Sequence, residues 1–522
     1  MRYSTSDSTP EQHAETLPPG RRAGVCLHIT SLPGRFGIGE IGAGARRFVD
    51  HLRRMQLTVW QFLPTGPTAY GDSPYQPLST FAGNENLIGI GDLLELGLLH
   101  NDEVDALEAL PRATVDYGAL IPAKTAALEA AARRFAGVAD STLKSACDDF
   151  YEAHDAAWLH DYALYRILKS RHGERPWPEW EAPYVHRDRA ALRRVEAEAG
   201  REIEAIKVIQ FLFHWQWRQF RDYANENGIR LFGDMPICIA LDSADAWANR
   251  DILQIDRDGR PDFVAGVPPD YFSEDGQLWG NPLYAWDRHA ATGYRWWVER
   301  LKASAELADM VRIDHFRGFE AYWSVPASSP TAREGTWVTG PGDAIFEAMQ
   351  NALGRLPIVA EDLGVITPEV EALRDRHNIP GMVVLQFDAA DETFELDSVP
   401  ENAVCYTGTH DNDTTQGWFR GSPNDIRSPE EIERTRQAVL ALTGGTPQTI
   451  HDDLTRAAFA TPARLAIAPM QDYLGLGSEA RLNTPGTSRN NWRWRLEPAL
   501  LSDELADHVA DMVHEAGRAT AL

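Results

Sequence analysis

Four short acidic stations, each directly behind an apolar strand-like run, constrain this chain more than any other feature. They are Gly233-Asp234-Met235-Pro236, Arg312-Ile313-Asp314-His315-Phe316-Arg317-Gly318, Ala360-Glu361-Asp362-Leu363-Gly364 and Thr409-His410-Asp411-Asn412-Asp413. Carboxylates repeated at the ends of successive strands are how a β/α barrel gathers distant segments onto one catalytic face. Eight apolar runs can be marked: Gly24 to Ile29, Thr58 to Leu63, Ile229 to Phe232, Met310 to Ile313, Pro357 to Ala360, Met382 to Phe387, Ala403 to Tyr406 and Arg464 to Pro469. Most are short, rich in Val, Ile and Leu, and followed at once by Gly, Pro, Asp or Thr, as parallel strands buried on both faces are. The expected fold is α/β, a (β/α)8 TIM barrel with large helical and loop insertions between barrel strands. A doubly wound open sheet would also alternate strand and helix, but it would gather its functional residues at one switch point.

Helical patterns fill many gaps between the runs. Ile41 to Met55 carries Phe48, Leu52 and Met55 at helical spacing. Thr367-Pro368-Glu369-Val370-Glu371 opens another helix, with Thr as N-cap, Pro at the first helical position and acids in the first turn. The gaps are uneven. Residues 64–228 are dominated by Ala, Glu, Arg and Leu in helical periodicity and predict a largely helical insertion, since a structureless loop of that length is foreign to a compact enzyme. A second insertion, 242–308, is dense in Pro and Gly and predicts an aromatic loop region able to act as a lid. Residues 1–20 predict a mobile tail, leaving 21–522 as one elaborated barrel domain.

Composition bounds the partners. The 522 residues carry a net charge of −27, which repels nucleic acid and anionic membranes and leaves a neutral or cationic ligand. No window approaches a membrane span. The N-terminal stretch lacks a secretory apolar core, so cytoplasmic residence is the expectation. Cys26, Cys147, Cys238 and Cys405 are widely spaced, with neither a zinc pattern nor a disulfide framework.

The stations differ in chemistry. Arg312 and Asp314 are two apart at a strand end, so their side chains point to the same side, and a guanidinium beside a carboxylate favours its ionised form. Ionisation is what a nucleophile requires, although a structural Arg-Asp pair would read the same way. Glu361 follows Pro357-Ile358-Val359-Ala360. Desolvation and neighbouring carboxylates there would raise its pKa, keep it protonated near neutrality, and let it donate to a leaving oxygen. Asp411 adds a third acid beside His410. No second His lies at metal-ligand spacing, so no metal is expected and His410 reads as a substrate hydrogen-bonding group. One ionised and one neutral carboxyl form the arrangement of a retaining glycosidase. Phosphoryl transfer is disfavoured, because Gly37-Ile38-Gly39-Glu40-Ile41-Gly42 lacks the Lys-Ser/Thr ending of a phosphate loop.

The 16 tryptophans are the compositional anomaly. Trp177, Trp180, Trp215, Trp217, Trp279, Trp296, Trp297, Trp323 and Trp337 include several beside Pro, Gly or acids, where sugar rings could stack. Core burial is the ordinary fate of any single Trp. Trp279, in Trp279-Gly280-Asn281-Pro282, is read as the exception.

Several words of this sequence resemble a known family. Leu27-His28-Ile29-Thr30-Ser31-Leu32-Pro33-Gly34, Gly66-Pro67-Thr68, Tyr70 to Gln76, Gly266 to Ser273, Arg312 to Gly318, Ala360 to Gly364, Tyr406 to Thr414, Asn483 to Gly486 and Asn491 to Trp494 resemble amylomaltase, the bacterial 4-α-glucanotransferase, and the plant disproportionating enzymes of the α-amylase clan. The resemblance implies a TIM barrel with Asp314 as nucleophile, Glu361 as acid/base and Asp411 as the third acid. It further implies Asp234 and Arg312 as barrel-mouth residues, His410 as a substrate-binding histidine, and Tyr75, Tyr271, Phe272 and Trp279 as aromatics around donor and acceptor sugars. Maltooligosaccharides and α-1,4-glucans would be donor and acceptor, with no organic cofactor and no calcium. An α-glucan hydrolase on the same barrel and a non-catalytic glucan-binding protein are the alternatives.

Overall fold

The structure is a computed structural model that describes residues 16–68, 72–269, 274–422, 425, 427–487 and 489–520. Numbered along the chain, its strands are β1 (Arg22–Cys26), β2 (Val59–Gln61), β3 (Arg230–Pro236), β4 (Phe263–Val267), β5 (Gln277–Pro282), β6 (Met310–Asp314), β7 (Ala321–Pro326), β8 (Thr336–Thr339), β9 (Ile358–Ala360), β10 (Gly381–Val384), β11 (Ala403–Tyr406) and β12 (Leu465–Pro469). Eight of these form one parallel sheet in the order β10-β11-β12-β1-β2-β3-β6-β9. The ring closes between β9 and β10, where the Ala360 N–H donates to the Pro380 carbonyl at 2.8 Å and the Met382 N–H to Asp362 Oδ1 at 2.8 Å. All eight expected runs are these barrel strands. The sixth stops early: its strand ends at Val384, and the chain turns into a short helix, Leu385–Asp388.

Strand parity places the site. Side chains alternate across a strand, so residues two apart share a face. Cys26, Val59, Phe232, Met310, Val359, Val384, Val404 and Ile467, one from each barrel strand, belong to a single buried cluster, with Leu17 packed among them. Their neighbours of opposite parity, such as Val25, Trp60, Leu231, Val311, Ile358 and Ala466, pack in the larger cluster with the surrounding helices. Stepping two residues onward along the inward column leads from Phe232 to Asp234, from Met310 through Arg312 to Asp314, and from Val359 to Glu361. The acids are continuations of the inner core at its carboxyl-terminal rim.

Helices cover the outside. The helix Ala43–Arg54 buries Phe48, Val49 and Leu52. The helix Pro368–Arg376 has Pro at its start, Glu369 and Glu371 in the first turn and Arg374 and Arg376 in the last, matching the helix dipole at both ends. Between β2 and β3 run long helices, including Tyr117–Val138, Ser141–His154, His160–Arg171 and Gly200–Glu226. Among the described residues no helix is long and apolar enough to cross a membrane. The first fifteen residues of the expected tail lie outside the described residues, whereas Thr16 donates its hydroxyl to the Leu356 carbonyl at 2.7 Å and Leu17 is buried.

The segment 242–308 corrects the expectation of loop. It contains β4 and β5, which join β7 and β8 in an antiparallel sheet of order β5-β4-β7-β8 beside the barrel mouth, and it ends in the helix Arg295–Leu307. Gly266, Gly280 and Pro282 sit inside these strands. Such residues weaken a strand and hide its pattern.

Candidate active site

The inner rim of β3 and β6 carries a hydrogen-bonded network of charged side chains. Asp234 and Arg312 face each other in register across the two strands. Arg312 is 4% exposed. Its guanidinium donates to Asp234 Oδ2 at 2.7 Å and to Asp314 Oδ1 at 2.8 Å. The same Asp234 oxygen accepts the Tyr75 hydroxyl at 2.7 Å. A buried fork of this kind fixes both carboxylates at once. Burial holds the Asp234 carboxyl above the usual carboxylate range, against the pull of Arg312.

Glu361 stands one residue beyond β9. Its two oxygens accept backbone N–H bonds, Oε2 from His315 at 2.6 Å and Oε1 from Leu363 at 2.8 Å. These donors favour the carboxylate, yet burial, followed by the charge of Asp314, pushes Glu361 up to about 7. His315 takes a left-handed backbone, φ 58°.

The third acid comes from the loop after β11. Asp411 Oδ1 accepts from Asn483 Nδ2 at 2.6 Å, and the Asp411 carbonyl accepts from Arg481 at 2.7 Å. His410 Nε2 lies 3.4 Å from Asp411 Oδ1. The His410 ring stacks on Tyr75 with centroids 5.2 Å apart and planes at 13°, and Trp492 lies 6.1 Å from both rings. Tyr75 therefore touches two stations, Asp234 by its hydroxyl and His410 by its face.

On the other side of the mouth the Trp279 ring meets His315 edge-on at 4.8 Å. The two rings line an apolar pocket, open to solvent, together with Cys238, Tyr284, Trp286 and Tyr322. Tyr271 and Phe272 lie outside the described residues. The structure thus brings Tyr75, Asp234, Arg312, Asp314, Glu361, His410 and Asp411 to one rim, with Trp279 beside it. Asn483, Arg481 and Trp492 were not singled out for chemistry by sequence reasoning. They lie seventy residues or more from the stations they touch; Asn483 and Trp492 fall in words that carry the family resemblance, but nothing in those words ties them to Asp411 or His410. Among the described residues no group of three or more His, Cys, Asp or Glu is arranged to hold a metal ion.

Carboxylates of unlike environment, an arginine fork and aromatic faces at the rim of a (β/α)8 barrel define a carbohydrate-active barrel enzyme. The comparisons agree and narrow the class. The family model described as 4-alpha-glucanotransferase matches residues 27–502. The chain is 47% identical over 491 residues to the 4-alpha-glucanotransferase of Thermus thermophilus, covering 93% of this chain and 96% of that protein. It is 44% identical over 505 residues to the 4-alpha-glucanotransferase of Synechocystis, covering 95% and 98% respectively. Among solved structures it is similar to the amylomaltase from Streptococcus agalactiae in complex with acarbose, with a TM-score of 0.90 and 34% identity, over 96% of this chain and 100% of that one. The chain belongs to the 4-alpha-glucanotransferase family.

Proposed function

We propose that the protein moves segments of α-1,4-glucan onto the 4-hydroxyl of glucose or another α-1,4-glucan by retaining double displacement. Asp314 attacks the anomeric carbon and carries the glycosyl group as an ester. Glu361 protonates the departing oxygen and then takes the proton of the incoming hydroxyl. Asp411 and His410 hold hydroxyls of the reacting sugar. The observation that carries this reading is the opposition of environments: Asp314 rests on the Arg312 guanidinium at 2.8 Å, while Glu361 is pushed up to about 7. The acarbose-bound relative supports an oligosaccharide in this mouth.

Transfer must outrun attack by water. Trp279 covers the acceptor side, binding the second sugar and excluding solvent. The four cysteines are unpaired, in keeping with a cytoplasmic residence. Incubation with maltotriose tests the activity. Transfer yields glucose and a ladder of longer maltooligosaccharides with reducing ends conserved, whereas a rising count of reducing ends would make the protein a hydrolase.

A further inference from the structure

An acid also follows the eighth barrel strand, β12. Asp472 lies in the short helix Met470–Tyr473 directly after β12 and is 1% exposed. Its partners are neutral donors. Oδ2 accepts the Thr407 hydroxyl at 2.7 Å and the Thr415 hydroxyl at 2.7 Å, and Oδ1 accepts the Thr415 N–H at 2.7 Å. Burial pushes this carboxyl up, and the three donors oppose the push. Among the described residues no Lys or Arg pairs with it.

A buried acid held by hydroxyl and amide donors, with no such partner and only the charge of His451 acting on it, is costly, so its placement calls for a reason. Thr407 is the residue that follows β11, and Thr415 opens the helix Thr415–Arg420. The loop 408–414 between them carries His410 and Asp411. Both ends of that loop are therefore fastened to one side chain in the short helix that follows the neighbouring strand, β12. Farther out, Arg481 and Asn483 hold Asp411 itself, and Gln386 donates to the Asp413 carbonyl at 3.0 Å. Those contacts fix the crown of the loop, and Asp472 fixes its base.

We infer that Asp472 is a positioning residue for the transfer reaction, clamping the base of the loop 408–414 so that Asp411 and His410 meet the reacting sugar in one geometry. The inference rests on the reading of Asp411 given above. A displacement of about 1 Å in such a group can cost on the order of 10²-fold in rate.

A double-mutant cycle on the full chain separates positioning from general support. Turnover of maltotriose is measured for Asp472→Ala, Asp411→Asn and the double variant, with the thermal midpoint of each. Asp472→Ala is expected to lower kcat by about 30- to 100-fold with KM within about twofold, because the outer glucan contacts are untouched. In the Asp411→Asn background the same change should cost less than about threefold, since the group it positions is already disabled. Should Asp472→Ala fail to fold, Thr407→Val and Thr415→Val each remove one hydroxyl donor at nearly constant shape and enter the same cycle. An additive loss, repeated in full on Asp411→Asn, or a wild-type kcat in the Asp472 variant, would overturn the inference. Unchanged kcat in Asp411→Asn alone would instead remove the reading of Asp411, and the inference with it.

Discussion

The backbone amide of His315 donates to Glu361 Oε2 at 2.6 Å, joining the residue that follows Asp314 directly to the proposed acid/base. Two further backbone bonds reinforce the link, from the Glu361 N–H to the Ile313 carbonyl and from the Phe316 N–H to the Glu361 carbonyl, each at 3.0 Å. The two chain segments that carry the proposed nucleophile and acid/base are thereby tied by main-chain bonds, while Arg312 holds the Asp314 side chain. Placement of this kind is what double displacement demands.

The elevation of Glu361 gives two pH effects. If Glu361 is the general acid as proposed, loss of its proton should make kcat/KM for maltotriose fall about tenfold per pH unit above about 7. The stability effect has the same direction. A carboxyl raised in the fold holds its proton more tightly folded than unfolded, so its contribution is full below the ordinary carboxylate range and is lost as pH rises toward about 7. The thermal midpoint of Glu361→Gln minus that of the wild type should therefore increase between pH 5 and pH 8. A difference independent of pH would contradict the elevation.

Arg312 is the sole guanidinium joining Asp234 and Asp314 among the described residues. Replacing it by Met leaves two carboxylates at the rim without their partner, which should cost about 3–5 kcal/mol at pH 7. The cost should shrink as pH falls and Asp234 becomes protonated, because a neutral carboxyl needs no counter-charge. Chemical denaturation at pH 7 and pH 5 checks the trend.

Tyr75→Phe removes one donor from Asp234 and keeps the ring against His410. Loss of a hydrogen bond to a charged acceptor is worth about 1.5–3 kcal/mol. Lower stability with a stacked ring intact should leave KM nearly unchanged, while Tyr75→Ala should raise it as well. Equal KM values in the two variants would deny the ring a role in binding.

Trp279→Ala should raise KM for the acceptor by about tenfold, the scale of one lost aromatic stacking surface. It should also increase the share of glycosyl groups released to water. Counting reducing ends during maltotriose turnover reads the second effect, and an unchanged ratio of transfer to hydrolysis would sink the idea.

The barrel was legible because its strands are short apolar runs with turn chemistry at their ends, and strand parity alone put Arg312 and Asp314 on one side. The second arm of the Arg312 fork was not legible. Asp234 stands 78 residues earlier, and only the pairing of β3 with β6 brings it opposite Arg312. Likewise Tyr75 reaches Asp234 across 159 positions. The antiparallel sheet was not legible, since β4 and β5 carry Gly and Pro and show no apolar alternation. Of the tryptophans, Trp177, Trp217 and Trp297 are fully buried core, the extreme of a side chain that is highly buried on average, whereas Trp279 faces the mouth.

The central claim, a covalent glycosyl ester on Asp314, is tested most directly by trapping. An α-maltosyl fluoride donor needs no acid to expel its leaving group, so Glu361→Gln should complete the first displacement and stall before the second. Mass spectrometry of proteolytic peptides should then find the added glycosyl group on Asp314. Attachment to Asp234 or Asp411, or rapid fluoride release with no adduct at any residue, would contradict the account.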